Sequence, residues 1–208
     1  LISKYCKDAD IVHHLAGITD VPRTKSEGNE EKDQKIRLVA EEGTNNILNT
    51  ISNKCKIIFP STHVVYEGIE KVKNNILEDE DLRPTLSYSS SKAINEKQLK
   101  NSGKNYIILR LGSVYGYSTD TARIDIMPNL FSKIASQDGA IKLFAGGRQT
   151  KSLVPLVDVA RCFKYMEERK DISSETFNLT KDTVTVKEVA EICKKYNPKV
   201  TLKETNDE

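Results

Sequence analysis

Cys55-Lys56-Ile57-Ile58-Phe59-Pro60-Ser61-Thr62 opens the run that decides the fold, which continues through Tyr88-Ser89-Ser90-Ser91-Lys92 to Asn105-Tyr106-Ile107-Ile108-Leu109-Arg110-Leu111. The first and last pieces are short apolar runs, and they read as buried strands. Between them a polar loop extends to Ser87, and the spacing predicts a helix from near Tyr88 to near Gly103. A strand, a helix and a second strand in that order form a βαβ unit and call for a parallel sheet.

Upstream, Ala9-Asp10-Ile11-Val12-His13-His14-Leu15-Ala16-Gly17 is another apolar run, ending in small residues, and reads as a third strand with its loop. A polar loop from about Ile18 to Glu31 leads into a helical pattern reaching Ile51, with Ile36, Val39, Ile47 and Leu48 as its apolar stripe. Downstream the pattern is less regular. A helix is expected from Met127 to Ser136, opened by Pro128. Short strands are expected at Ile141–Phe144, Leu153–Leu156 and Thr176–Leu179. A helix spans Val157 to Arg169. Thr185 and Glu188 form a capping box for a helix reaching Tyr196. A boundary between a larger and a smaller domain is expected near residues 117 to 125. It separates residues 1–120 from 121–208, with elements near 150–180 returning to the first domain.

Composition sets limits on function. The 208 residues carry 32 basic and 30 acidic side chains, for a net charge of +2. That balance gives no electrostatic reason to expect nucleic acid or an anionic membrane as partner. No apolar run approaches the roughly 20 residues that cross a bilayer. Cys6, Cys55, Cys162 and Cys193 contain no C-x-x-C pair and read as free thiols of a cytoplasmic protein. His13 and His14, adjacent on a strand, point to opposite faces, so no metal site is expected.

Tyr88 and Lys92 stand at i and i+4 and share a helix face. A nearby ammonium favours phenolate over phenol, which makes tyrosine usable as a general base or acid near neutral pH. With eight tyrosines in a lysine-rich chain, such a pair also arises by chance, as two solvated residues on a surface helix. Ser61 and Thr62 end the preceding strand, where open α/β sheets bind ligands. A hydroxyl there can hydrogen-bond a substrate oxygen, or it can serve only the backbone of the turn.

Taken in order, these pieces resemble the extended short-chain dehydrogenase/reductases, especially the nucleotide-sugar epimerases and dehydratases. Asp10 through Gly17 resembles a strand ending in H-L-A-A, and Gly43-Thr44-Asn45-Asn46-Ile47-Leu48 resembles G-T-x-N-L-L. Ser61 through Tyr66 resembles S-S/T-x-x-V-Y-G, and Tyr88 through Glu96 resembles Y-x-x-S-K-x-x-x-E. Leu109 through Gly116 resembles L-R-x-x-N-V-Y-G, and Gly146 through Ala160 resembles G-x-G-x-Q-x-R-D-F-V-x-V-D-D-V-A. The matches run from about residue 9 to 192.

The resemblance implies a Rossmann-like, doubly wound parallel sheet with a smaller α/β substrate-binding domain. It implies that Thr62 holds the substrate hydroxyl, that Tyr88 exchanges its proton, and that Lys92 binds the nicotinamide ribose and tunes Tyr88. Leu15, Ala16, Gly17 and Ser61 would line the cofactor, with Leu111 by the nicotinamide. Ser113, Asp125, Ile126, Phe144 and Lys151 fall where the family holds a nucleoside-diphosphate sugar, and His63 would face it. Lys151 replaces an arginine there, keeping the charge and losing the bidentate fork. Family analogy also implies a homodimer through the Lys32–Ile51 and Tyr88–Gly103 helices.

The sequence departs from the family pattern in several places. The glycine-rich G-x-x-G-x-x-G loop that cradles the dinucleotide pyrophosphate is not found among the ten glycines. The chain therefore reads as a fragment with both domains incomplete. Ala40 stands in place of a cofactor-facing asparagine, and Ser113 in place of another asparagine. His63 and Val64 occupy the two positions where sugar 4,6-dehydratases carry Asp-Glu, which disfavours dehydration. His63 reads either as a substrate-facing acid/base or as a partly exposed turn residue. The leading expectation is NAD-dependent epimerisation of a nucleoside-diphosphate sugar through a ketosugar. The alternatives are an NADPH-dependent sugar or carbonyl reductase, with NADP as cofactor, and a non-catalytic nucleotide-binding or scaffold protein on the same fold.

Overall fold

The computed structural model describes residues 2–18, 30–119 and 123–205. Its elements run α1 (Ile2–Cys6), β1 (Ile11–His13), α2 (Glu30–Thr50), β2 (Lys56–Thr62), α3 (Ser87–Asn101), β3 (Asn105–Leu111), β4 (Ser113–Tyr115), α4 (Met127–Ser136), β5 (Ala140–Phe144), β6 (Thr150–Pro155), α5 (Leu156–Glu168), β7 (Glu175–Leu179), β8 (Asp182–Thr185), α6 (Val186–Tyr196) and β9 (Thr201–Thr205). The expected loop at residues 18–31 falls almost wholly outside the described residues.

The chain divides into two compact units, Leu1–Leu111 with Phe163–Asn178, and Gly112–Cys162 with Leu179–Glu208. The first unit holds a sheet in the order β1-β2-β3-β7. β2 is parallel to both β1 and β3, and its register carries Thr62 opposite Leu111. The C-terminal ends of the strands thus lie on one edge. β2 forms because a run of Ile57, Ile58 and Phe59 fits a pleated, two-sided interior, and all three are buried. Ile57, Phe59 and Ile108 pack with Leu48 and Ile51 of the α2 region and Leu99 of α3. On the opposite face, Lys56 donates from Nζ to the carbonyls of Met166, at 3.1 Å, and Arg169. A buried lysine thereby finishes the C-terminal end of α5, where orphan carbonyls need donors.

The two adjacent histidines do face opposite sides of the sheet. His13 Nε2 stands 2.8 Å from Glu167 Oε1 and its ring lies against Phe163. His14 turns to α2 and shares a 2.9 Å hydrogen bond with Thr44 Oγ1. Within α2, Ile36 and Leu48 are buried, whereas Val39 is 40% exposed and does not belong to the buried stripe. The unit's face is narrower than an i, i+3, i+4 count gives, because Thr44, fully buried, occupies part of it.

The second unit contains the three-stranded sheet β4-β6-β8 and the two-stranded parallel sheet β5-β9. Its core gathers Phe131 and Ala135 of α4, Ile141 and Leu143 of β5, Leu153 of β6, Val189 and Ala190 of α6, and Val200. Pro128 sits in the first turn of α4, where its missing N–H costs nothing. Thr185 and Glu188 cap α6 reciprocally. The four cysteines are free thiols. Among the described residues, no helix is long and apolar enough to cross a membrane.

Candidate active site

Three strand ends and one helix start meet at the C-terminal edge of the parallel sheet in the first unit. Thr62 ends β2 and is buried. Its Oγ1 accepts a hydrogen bond from Val64 N at 3.3 Å and so caps the short 3-10 helix His63–Tyr66. A hydroxyl that accepts from one N–H retains its own proton to donate elsewhere. The backbone role and the substrate role considered for Thr62 are therefore compatible.

Tyr88 and Lys92 lie on the first turns of α3, with Lys92 Nζ 5.9 Å from the Tyr88 ring centroid. Lys92 is aimed by two further contacts. Its Nζ donates to Pro60 O at 2.8 Å and stands 4.4 Å from the centre of the Phe59 ring. Burial lowers the Lys92 pKa from 10.5 to about 8, against an opposing pull from Glu96. The side chain is still cationic at neutral pH, and its charge is poorly screened.

His63 Nδ1 lies 2.9 Å from Leu111 O. A carbonyl only accepts, so Nδ1 carries the proton, and Nε2 is the acceptor in the neutral ring. Leu111 itself is half-buried at the end of β3. Leu15, Ala16 and Gly17 follow β1 on the same edge and are exposed, Leu15 by 62%. A Cβ on Gly17 would meet nothing within 4 Å. Beneath this shelf His14 is 5% exposed, and burial, with the nearby Lys92 charge, lowers its pKa to about 4. His14 is thus a neutral packing residue.

Ser61 is committed elsewhere. Its hydroxyl donates to Glu96 Oε1 at 2.5 Å. Glu96 accepts in turn from Arg110 Nε at 3.1 and 3.2 Å and from Arg110 Nη2 at 2.7 Å. Glu96 and Arg110 are each 1% exposed. Arg110 also reaches Glu78 O at 2.9 Å and the Tyr66 hydroxyl. This buried network joins the end of β2, the middle of α3 and β3 just behind Tyr88 and Lys92. The pairing of Glu96 with Arg110 is a feature of the site region that residue spacing alone does not reveal. Its signal is an arginine inside an apolar strand, since a buried guanidinium requires a carboxylate partner.

The remaining candidates belong to the second unit. Ser113 begins β4, opposite Leu153 of β6. Asp125 pairs with Arg123 at 3.0 Å just before α4, and Ile126 is the N-cap residue of α4. Phe144 ends β5 and is 50% exposed. Lys151 lies on β6, opposite Val184 of β8, with its side chain exposed.

Residues 1–180 match the model of the NAD dependent epimerase/dehydratase family, and the chain belongs to that family. No curated protein matches it. Among solved structures, it is similar to an NAD-dependent NDP-hexosamine 5,6-dehydratase of tunicamycin biosynthesis, with a TM-score of 0.81 at 20% identity, covering 100% of this chain and 67% of that one. It is similar to UDP-glucuronic acid 4-epimerase from Bacillus cereus, solved with UDP-glucuronic acid and NAD, with a TM-score of 0.81 at 24% identity, covering 99% of this chain and 65% of that one. A UDP-N-acetylglucosamine 4-epimerase from Methanobrevibacter ruminantium gives 0.80 at 20% identity, covering 100% and 67%. The chain spans about two thirds of the length of these proteins.

The residues at the sheet edge fit the nicotinamide and ribose end of NAD. Lys92 Nζ has N–H groups beyond the one given to Pro60 O, and these would serve ribose hydroxyls. The small, open Ala16-Gly17 stretch leaves room for a flat ring against the strand ends.

Proposed function

We propose that this protein interconverts epimers of a nucleoside-diphosphate sugar through a transient ketosugar, with NAD as its cofactor. The observation that carries the reading is the placement of Lys92. It is tied to Pro60 O at the end of β2, between the Phe59 and Tyr88 rings and two residues from Thr62. When bound, NAD supplies the acceptor and donor of hydride.

Thr62 donates its hydroxyl proton to the sugar oxygen and holds it toward Tyr88. Tyr88 takes the proton from that oxygen and later returns it. Lys92 keeps its charge at neutral pH and favours the phenolate form of Tyr88. Ser113, Asp125, Ile126, Phe144 and Lys151 hold the nucleotide diphosphate, with Lys151 supplying positive charge. His63 and Val64 stand where elimination would need Asp-Glu, which supports epimerisation over dehydration.

Denaturing the purified full-length protein and identifying released nucleotide by mass spectrometry tests the cofactor. Tightly held NAD is the expected result, and release of NADP would point to a reductase instead. Tyr88→Phe tests the chemistry. Turnover is expected to fall by about 10²- to 10⁴-fold, with cofactor content and thermal midpoint unchanged. Undiminished turnover in that variant would overturn the assignment of Tyr88.

A further inference from the structure

α3 carries Tyr88 in its first turn, yet its own N-cap residue cannot cap it. Leu86 has no side-chain oxygen, while the first N–H groups of a helix need an acceptor. The N–H groups at the entry to the helix, those of Thr85 and Leu86, find an acceptor 18 and 19 residues earlier, and Ser89 Oγ is a second acceptor for Leu86 N at 3.2 Å. Glu67 Oε1 receives Thr85 N at 2.7 Å and Leu86 N at 2.9 Å, and it also receives the hydroxyl of Ser89. Ser89 is fully buried at the third position of the helix, so the carboxylate grips both the entry to the turn and its interior. Partial burial pushes the Glu67 carboxyl up, but the hydrogen bonds from Ser89, Thr85 and Leu86 outweigh it and leave the pKa below its ordinary value. The group is ionised at neutral pH, at the end of a helix that favours negative charge.

Glu67 is itself held from behind. Gly68 N donates to Arg83 O and Arg83 N to Val65 O, both at 2.8 Å. A Cβ at position 68 would stand 2.5 Å from Arg83 O, so only glycine allows this approach. Glu67 is also the C-cap residue of the 3-10 helix that Thr62 opens, and its N–H donates to Val64 O. One four-residue helix and one carboxylate therefore connect the Thr62 hydroxyl to the turn that bears Tyr88. In the S-S/T-x-x-V-Y-G pattern this position is glycine. Here the chain reads Tyr66-Glu67-Gly68, so the strut is a property of this sequence.

We infer that Glu67 is a positioning residue, one that fixes Tyr88 relative to Thr62 for the proton transfer proposed above. The inference rests on that reading of the site. It concerns geometry: the Oε1 acceptor matters, and the charge is secondary. Misplacing a reacting group by about 1 Å costs on the order of 10²-fold in rate.

The test compares Glu67→Ala, Glu67→Gln and Thr185→Ala in the full-length protein with NAD and nucleotide-sugar substrate. Glu67→Ala is expected to lower kcat by about 10- to 100-fold while KM stays nearly constant. Glu67→Gln keeps an oxygen in place and restores most of kcat. Thr185→Ala removes a helix cap in the second unit and leaves kcat at the wild-type level. Wild-type kcat in Glu67→Ala, whatever its thermal midpoint, overturns the inference, as does a Gln variant no better than Ala. If Glu67→Ala does not fold, Glu67→Asp replaces it. Its retracted carboxylate is expected to slow turnover several-fold, and an unchanged kcat counts against the role.

A second readout is independent of turnover. With 13C-labelled tyrosine, the Tyr88 ring resonance is identified by its loss in Tyr88→Phe. It is expected to move in Glu67→Ala and return in Glu67→Gln. If the wild-type protein turns over no nucleotide sugar, the proposed function fails, and this resonance alone decides Glu67. A Tyr88 signal unmoved in Glu67→Ala would refute the positioning role.

Discussion

The two units solve the problem of an interior in different ways. In the second, the core is Phe131, Ala135, Ile141, Leu143, Leu153, Val189, Ala190 and Val200, and every one is apolar. In the first, His14, Thr44, Lys56, Ser61, Thr62, Ser89, Ser91, Asn95, Glu96 and Arg110 are all buried, and among the described residues no polar residue outside that unit is buried as a whole. An apolar core gains free energy without regard to direction. Buried polar groups gain little and must be oriented, because each one left unpaired is costly. The unit that carries Thr62, Tyr88 and Lys92 is thus the one whose packing dictates angles as well as volume.

The largest break in that contrast falls at Arg110. Arg110→Met leaves Glu96 as an uncompensated buried carboxylate, and the expected loss is about 3 to 5 kcal/mol of unfolding free energy. Adding Glu96→Leu removes the stranded charge, and stability is expected to return to near or above wild type. Turnover should not return with it, because Ser61 and the α3 register lose their anchor. Chemical denaturation of both variants measures the first pair of effects, and kcat measures the last. A double variant that recovers both stability and full turnover would show that the network serves cohesion only.

A smaller effect is expected at Lys92, where pH separates the cost of a charge from the value of a contact. Below pH 8 the folded and unfolded chains both hold the proton, and the fold bears the full penalty of a buried ammonium. Between about 8 and 10.5 only the unfolded chain holds it, so that penalty is relieved as pH rises. The stability of Lys92→Met relative to wild type is therefore expected to fall by roughly 2 to 3 kcal/mol between neutral pH and the ordinary lysine pKa. The lost bond to Pro60 O is common to both conditions, so the difference between them reads the ionisation alone. Urea midpoints of wild type and variant at the two pH values provide the measurement. An equal gap at both would mean the ammonium is not penalised by the fold.

Much of this was visible in the sequence where structure is set by neighbours along the chain. The β2–α3–β3 unit follows from apolar runs and one helical spacing, and β3 spans Asn105–Leu111, the residues expected of it. The Thr185–Glu188 box is legible because both partners lie within one turn. Elements formed by partners distant in sequence were not. β9 reads Thr201-Leu202-Lys203-Glu204-Thr205, with no alternation strong enough to mark it, and it is a strand because β5 pairs with it. β4 is three residues held by β6. Val39 counts as buried by spacing alone and is exposed. At the site, Tyr88, Lys92 and Thr62 stand out by residue type and order. Glu67 gives no sign of its reach to α3, since nothing local distinguishes it from a solvated glutamate.

The smallest effect sharpens the comparison most. α6 and α3 both need an acceptor for the N–H of the residue that opens them, and α3 adds a distant one to its own. In α6, Thr185 Oγ1 accepts Glu188 N at 3.2 Å and Glu188 Oε2 accepts Thr185 N at 2.6 Å, so the cap moves with its helix. In α3 Ser89 Oγ accepts Leu86 N at 3.2 Å from within the helix, but the shorter bonds go to the Glu67 carboxylate of another segment, which ties the helix to the 3-10 turn after β2. Thr185→Ala is expected to cost about 1 kcal/mol and to fray only the start of α6, as seen by faster amide exchange confined to its first turn. If exchange also quickened across β6 or β5, even the self-contained cap would be bracing its unit. Local and long-range caps would then differ in degree, and the feature distinguishing α3 would be the tyrosine it carries.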